Sequence, residues 1–208
     1  PFVRELWGRN WVFAHNGDLK DFVPALHGQF RPIGSTDSEH AFCWLLQEIA
    51  KSHAGVPSVE ELTLTLAELV PQISHKGTFN FVLSNGDAMW AHCSTHLHYL
   101  VRAYPFNRAS LMDQDVSVNF AELNNAEDRA AVIVTLPLTA DETWATFQPN
   151  ELITFVDGAP KIHVDLDAAH AQLSADLSVD MRQAIAEAQA DADAAMQRYR
   201  QNLGLQAI

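Results

Sequence analysis

The sequence predicts an α+β fold in which mainly antiparallel strands outnumber the helices. Short apolar segments recur between residues 11 and 164, and turn residues such as Asn85-Gly86-Asp87 separate them, as β-hairpins require. Two stretches between residues 36 and 74 instead repeat their apolar residues every three to four positions, which is typical of amphipathic helices. We therefore expect antiparallel sheet packed against helices.

The first predicted strand, at 11–14, runs directly into His15-Asn16-Gly17-Asp18, and we expect it to stop there. An Asn-Gly pair after a strand is most often an ordinary hairpin turn. The same tip would also present two neighbouring donors, the side-chain amide of Asn16 and the backbone N–H of Gly17, which no Cβ shields. Two converging N–H donors can form an oxyanion hole. Taken alone, the pattern leaves both interpretations open.

The first helix is predicted to begin at Thr36, after a loop at 21–34 that is punctuated by proline and glycine. Thr36-x-x-Glu39 before an apolar-periodic run is a capping box, and the pattern stops near Gly55. Asp37 then lies in the first helical turn, where acidic residues are common because they complement the helix dipole. Its carboxylate could also face a bound cation.

The remaining elements follow from the same signals. Ser58-x-x-Glu61 predicts a second capped helix, which Pro71 is expected to end or kink. Residues 117–125 are ambiguous. The predicted strands are 79–83 and 88–93 as one hairpin, 98–102, 130–135, and 151–156 with 160–164 as a final hairpin.

Beyond residue 162 the composition changes to Ala, Asp, Gln and Ser, and 179–203 is predicted to form one long helix. The more apolar side chains of this helix form one narrow stripe. The stripe could pack against the chain's own domain, or it could form the interface of a homodimer or a contact with a partner subunit. We therefore expect a domain at 1–160 and a helical extension at 161–208. The stripe consists of Met181, Ile185, Ala188, Ala192, Ala195 and Tyr199.

The composition excludes several classes of partner. The chain has 26 acidic and 13 basic residues, a formal charge of −13, and no Lys/Arg cluster, which argues against nucleic acid and anionic membranes. No apolar run approaches the roughly 20 residues that a membrane-spanning helix needs. Two cysteines are too few for a disulfide framework and fit a reducing compartment, so we expect a cytoplasmic protein.

One group of residues resembles a metal site. His92, Cys93, His96 and His98 place three imidazoles and a thiol, which are ligands that zinc prefers, within seven residues. On a continuous strand, however, Cys93 would face away from His96 and His98, and no second ligand group is near in sequence. We therefore predict neither a metal nor another cofactor.

The segment Phe13-Ala14-His15-Asn16-Gly17-Asp18-Leu19, followed by Thr36-Asp37-Ser38-Glu39 at a helix start, resembles the class II glutamine amidotransferases, and most of all their small stand-alone members. The likeness continues through 1–2, 77–87, 137–139 and Trp144, and covers about residues 1 to 158. It implies the N-terminal-nucleophile hydrolase fold, a four-layer αββα sandwich of mainly antiparallel sheets. Here that fold would lack its first strands and carry an added C-terminal helix.

The resemblance also implies a chemistry. In this family an N-terminal cysteine thiolate attacks the side-chain amide of glutamine, with its own α-amine as the base, and ammonia leaves from a γ-glutamyl thioester. Carried over by position, Asn16 and Gly17 would stabilise the oxyanion, Asp37 would pair with the substrate's α-ammonium group, and His15 would take part in substrate binding. The substrate would be glutamine or a γ-glutamyl amide.

The chain begins at Pro1, which resembles the proline of the family's His-Pro-Phe segment. The nucleophilic cysteine and the arginine that binds the substrate carboxylate are therefore expected upstream, and neither Cys43 nor Cys93 can replace the nucleophile by position. As given, the chain is predicted to be inactive. The alternative is a catalytically inactive relative that acts as a binding or assembly module through its C-terminal helix.

Overall fold

The computed structural model divides into two compact units, Pro1–Leu166 and Asp167–Ile208. The second unit is helical where it is described, but most of the helix predicted at 179–203 lies outside the described residues. The proposed binding of a partner by the stripe on that helix stays a prediction. The division of the chain into a domain at 1–160 and an extension at 161–208 also stays a prediction. The structure describes residues 1–106, 108–112, 117–122, 124–176, 178–181, 183–184 and 187.

The first unit contains two long helices and eleven strands among its described residues. Both predicted helices and both predicted hairpins are confirmed, and the ambiguous region after residue 116 contains a short strand and one 3₁₀ turn, Phe120–Glu122. The elements in chain order are β1 Phe2–Leu6, β2 Arg9–Leu19, α1 Asp37–Ser52, α2 Val59–Ser74, β3 Gly77–Ser84, β4 Met89–Cys93, β5 His98–Ala103, β6 Arg108–Ser110, β7 Ser117–Asn119, β8 Arg129–Val134, β9 Ala145–Thr146, β10 Glu151–Val156 and β11 Ala159–Asp165.

The strands form one large sheet and two small ones. The six-stranded sheet has the order β1-β2-β3-β4-β10-β11, a three-stranded sheet has the order β8-β5-β9, and β6 pairs with β7. All these pairs are antiparallel. The predicted α+β class with mainly antiparallel sheets is therefore confirmed.

The large sheet packs against other elements on both of its faces. Side chains alternate along a strand, so Trp11 and Phe13 of β2 point to the helices, where the rings of Phe13 and Phe42 stack with centroids 5.2 Å apart. On the opposite face a smaller cluster contains Ala91 and Ile153, against which Tyr99 and Ile133 of the three-stranded sheet pack. The layers thus run helices, large sheet, small sheet.

The end of β2 differs from the prediction. The strand does not stop at Asn16-Gly17 but continues to Leu19, with Asn16 opposite Asn80 and Gly17 opposite Phe79 on β3. The local turn preference of Asn-Gly is overridden because pairing with β3 satisfies the backbone along the whole segment. Both the strand tip and the hairpin turn are therefore wrong as descriptions of these two residues.

The helix ends also differ in part. The capping box of α2 is complete, since Ser58 and Glu61 each accept from the other's backbone N–H at 3.1 and 2.8 Å. The box predicted for α1 is only half formed, because Thr36 accepts from the N–H of Glu39 but the Glu39 carboxylate binds the preceding loop. Pro71 lies inside α2, which runs on to Ser74, so it does not end that helix.

Candidate active site

The backbone N–H of Gly17 points away from β3. The Leu19 N–H also points away from β3 and donates to Asp37 at 2.7 Å, whereas the next N–H, of Lys20, donates toward the β3 side. Because donors alternate along a strand, the N–H of Gly17 lies on the same side of β2 as that of Leu19.

The side chain of Asn16 lies on the face that looks toward the small sheet. Asn16 and Asn80 line a cavity of about 170 Å³ together with Leu97 and Ile133. Both Asn16 and Gly17 are exposed in the described part of the chain. The two predicted oxyanion donors are therefore adjacent, and their role stays a prediction.

Asp37 is the first residue of α1 and is fastened to the end of β2. Its Oδ2 accepts from the N–H of Leu19 at 2.7 Å, and its Oδ1 accepts from the N–H of Ser38 at 2.7 Å. Leu19 lies two positions from Gly17 along the strand, a span of about 7 Å. Each carboxylate oxygen has two acceptor positions, so the half-buried group keeps capacity for a cationic ligand close to the donor pair.

His15 points to the helix face of β2 and connects three elements. Its Nδ1 lies 2.8 Å from Oγ of Ser38 on α1, and its Nε2 lies 3.0 Å from the carbonyl oxygen of Thr78 on β3. A carbonyl only accepts, so Nε2 carries a proton and donates to Thr78. Both ring nitrogens thus have protein partners, and the predicted role of His15 in substrate binding stays a proposal.

Glu39 is a site-supporting residue that the sequence analysis missed. Its buried carboxylate accepts from the N–H groups of Ile33 and Gly34 at 3.0 and 2.7 Å and pairs with Arg4 on β1. The Ile33 N–H is the main cause that lowers the pKa of Glu39, against the opposing effect of burial. The signal in the sequence was its spacing from Phe42, which places a carboxylate on the apolar face of α1.

Asn80 is the second residue that the sequence analysis missed. It is buried between Phe79 and Phe81 in the chain, and its Nδ2 donates to the carbonyl oxygen of Asn16 at 3.2 Å. A buried amide between two buried aromatic residues needs polar partners, which was the signal available in the sequence.

Neither cysteine has the environment of a nucleophile. Cys43 on α1 and Cys93 on β4 are both fully buried, and burial raises the pKa of each thiol. A nucleophilic cysteine needs the opposite shift, because the thiolate is the reactive form. Cys43 belongs to the hydrophobic core between the helices and the large sheet.

The histidine-rich segment after β4 does not gather into one site. His92 is buried among aromatic rings, with Nδ1 2.6 Å from the carbonyl oxygen of Phe79, and burial lowers its pKa to about 4. His98 is the first residue of β5 and bonds Thr146 at 3.1 Å. Within the described parts of the chain, no group of three or more His, Cys, Asp or Glu side chains could hold a metal ion.

The helices that the structure describes include none with the length and hydropathy to span a membrane.

Stacked antiparallel sheets with a helical layer on one outer face agree with the N-terminal-nucleophile-hydrolase-like fold of class II glutamine amidotransferase domains. The family model for class-II glutamine amidotransferases matches residues 1–180. The chain belongs to the class-II glutamine amidotransferases.

Individual proteins of the same description are similar to this chain. “Putative glutamine amidotransferase YafJ” of Escherichia coli K12 is 44% identical over 159 residues, which are 76% of this chain and 62% of that protein. A Haemophilus influenzae protein of the same description is 42% identical over 173 residues, covering 79% of this chain and 59% of the relative. This chain thus spans about three-fifths of the length of these relatives.

A solved structure extends the likeness to the fold. The crystal structure of a predicted glutamine amidotransferase from Pseudomonas aeruginosa PA01 superposes with a TM-score of 0.69 at 38% sequence identity. The match covers 78% of this chain and 64% of that one.

Proposed function

We propose that the whole protein is an amide hydrolase of the glutamine amidotransferase type, which releases ammonia from glutamine or cleaves a γ-glutamyl amide. The observation that carries the proposal is the neighbouring pair of donors, the Asn16 amide and the Gly17 N–H, on the side of β2 where Asp37 binds the N–H of Leu19, two positions further along the strand. The two donors would stabilise the negative charge that develops on the carbonyl oxygen. Asp37 would hold the substrate's α-ammonium group.

The nucleophile in this proposal is the thiolate of an N-terminal cysteine in a segment that precedes Pro1. The thiolate attacks the amide carbon, the C–N bond breaks, and the α-ammonium that took up the thiol proton passes it to the departing ammonia or amine. Water then hydrolyses the thioester to release the γ-glutamyl product and restore the thiol. The burial of Cys43 and Cys93 supports a nucleophile outside these residues.

The proposed enzyme is cytoplasmic and acts on a small molecule. The excess of acidic residues argues against nucleic acid and anionic membranes as partners. Its C-terminal helix is proposed to be available to a second copy or to a partner subunit.

Intact mass and N-terminal sequencing of the protein from its natural source test the nucleophile. A species that begins with cysteine and releases ammonia from glutamine supports the proposal. A species that begins at Pro1 and binds glutamine without releasing ammonia overturns it, and favours an inactive relative that acts as a binding or assembly module.

Asn16→Ala tests the oxyanion donor. We expect kcat to fall about 100- to 1,000-fold with little change in Tm, because the amide acts on the transition state and its side chain is exposed. Asn10→Ala, at another exposed asparagine of β2, should leave ammonia release unchanged. A wild-type rate in Asn16→Ala would remove Asn16 from the mechanism.

A further inference from the structure

The side chain of Asn80 uses every polar position it has. Its Nδ2 donates to the carbonyl oxygen of Asn16 at 3.2 Å and to Oγ1 of Thr95 at 2.8 Å. Its Oδ1 accepts from the N–H groups of Ser94 and Thr95 at 2.9 and 3.1 Å. An amide has two donor and two strong acceptor positions, so this network is complete. Asn80 is 2% exposed, which means that solvent cannot replace these partners.

The carbonyl that Asn80 holds belongs to the peptide unit that carries the Gly17 N–H. A trans peptide is planar, with its C=O and N–H pointing in opposite directions. A bond that fixes the Asn16 oxygen on the β3 side therefore also fixes the Gly17 N–H in the opposite direction, away from β3. Donation to the carbonyl also polarises the peptide, which strengthens its N–H as a donor.

We infer that Asn80 is a positioning residue for the oxyanion donors. Its hydrogen bond to the Asn16 carbonyl oxygen holds the Asn16–Gly17 peptide in the orientation that directs the Gly17 N–H away from β3. The inference rests on the proposed function. It joins the turn between β4 and β5 to the site, because Ser94 and Thr95 fix the amide that in turn fixes the peptide. A small misplacement of catalytic groups costs on the order of 100-fold in rate.

Asn80→Asp separates the two tasks of this side chain. One carboxylate oxygen can still accept from Ser94 and Thr95, but the other faces the Asn16 carbonyl where a donor stood. We expect kcat for ammonia release to fall about 10- to 100-fold while KM stays unchanged, since the donors act on the transition state.

Asn85→Asp is the matched control, because it makes the same chemical change at another buried asparagine that caps a turn. Oδ1 of Asn85 accepts from the N–H groups of Asp87 and Ala88 at 3.0 and 3.2 Å, in the turn between β3 and β4. This variant should keep the wild-type kcat.

A second readout does not need activity. The ¹⁵N chemical shift of the Gly17 amide responds to hydrogen bonding at the Asn16 carbonyl, so it should move in Asn80→Asp and stay in Asn85→Asp. If Asn80→Asp does not fold, Thr95→Val is used in its place. That change removes the hydroxyl oxygen that accepts from Nδ2 of Asn80 and helps to orient it. We expect it to move the same signal and lower kcat by a smaller factor.

The two proposals fail in different ways. A wild-type protein that releases no ammonia overturns the proposed function, while the Gly17 signal still decides the role of Asn80. An active wild type whose folded Asn80→Asp variant keeps both its kcat and its Gly17 signal overturns the positioning role. The same holds for Thr95→Val where it is the variant used.

Discussion

At Gly17, an ideal Cβ would lie 1.9 Å from the carbonyl oxygen of Thr78 and 2.6 Å from Nε2 of His15. The Thr78 oxygen belongs to the backbone of β3 and cannot turn away as a flexible side chain could. The absence of a side chain therefore lets β2 and β3 approach closely at the position that carries the proposed Gly17 N–H donor.

Gly17→Ala should consequently destabilise the protein by about 1–3 kcal/mol, because the backbone must move to admit the methyl group. Ammonia release should also fall, since the same movement displaces the N–H donor. Urea unfolding and a glutaminase assay measure the two effects. Gly55→Ala is the control, because its Cβ would meet nothing within 4 Å. Equal stability of the two variants would contradict the close approach.

At the scale of one element, the first turn of α1 connects three parts of the fold. Thr36 caps the helix, the Asp37 carboxylate holds the end of β2, and the Glu39 carboxylate holds the loop at Ile33 and Gly34. Three of the four positions from 36 to 39, each with an acidic or hydroxyl side chain, thus serve different partners. The helix start both supports the proposed site and closes the long loop that precedes it.

Glu39→Gln should lower the free energy of unfolding by about 1–3 kcal/mol at pH 7, because a buried charged acceptor is lost beside Arg4. The folded pKa of Glu39 is lowered, so its contribution is full above the unfolded value of about 4.3 and is lost as the pH falls through the folded pKa. The difference in the free energy of unfolding between wild type and variant should therefore become smaller as the pH falls. Urea unfolding at several pH values measures it.

Glu60→Gln is the control for that experiment, at an exposed position in the first turn of α2. It should change stability by less than about 0.5 kcal/mol. A Glu39→Gln gap that stays constant down to pH 3 would contradict the assigned pKa shift.

At the scale of the whole molecule, the large sheet buries a titratable group at its centre. His92 is fully buried on β4, donates from Nδ1 to the Phe79 carbonyl, and has a pKa lowered to about 4 by burial. The unfolded chain takes up a proton near pH 6.5, so it binds more protons than the folded chain between pH 6.5 and 4. Global stability should fall across that window as the pH decreases.

The neutral His92 ring should lower the free energy of unfolding by about 3 kcal/mol between pH 6.5 and 4, because each unit of pKa shift corresponds to about 1.36 kcal/mol. His92→Asn keeps a donor that can reach the Phe79 carbonyl and removes the titration, so its stability should depend less on pH in this window. The readout is the slope of the unfolding free energy against pH. The smaller Asn side chain leaves a cavity, which lowers the unfolding free energy by the same amount at every pH and does not change this slope. His96→Asn, at an exposed histidine, should keep the wild-type slope; an equally steep His92→Asn curve would contradict the buried neutral ring.

The sequence by itself determined the helices, the two hairpins and the family. The 3.6-residue period of α1, the Ser58–Glu61 box and the Asn85-Gly86-Asp87 turn are local signals, carried by residues within a few positions of one another, and the structure confirms them. The likeness to the class II glutamine amidotransferases also lay in short motifs, and the family match confirms it.

Only the tertiary structure decided how the candidate site is built. Asn16 and Gly17 lie inside a strand, against their local turn preference, because β3 pairs with them from more than sixty residues away in the chain. Asn80 is separated in the sequence by a similar number of residues from the Asn16 carbonyl to which its side chain donates. Local preference concerns neighbouring residues, whereas close backbone approach and buried hydrogen bonds join segments that meet only once the chain has folded.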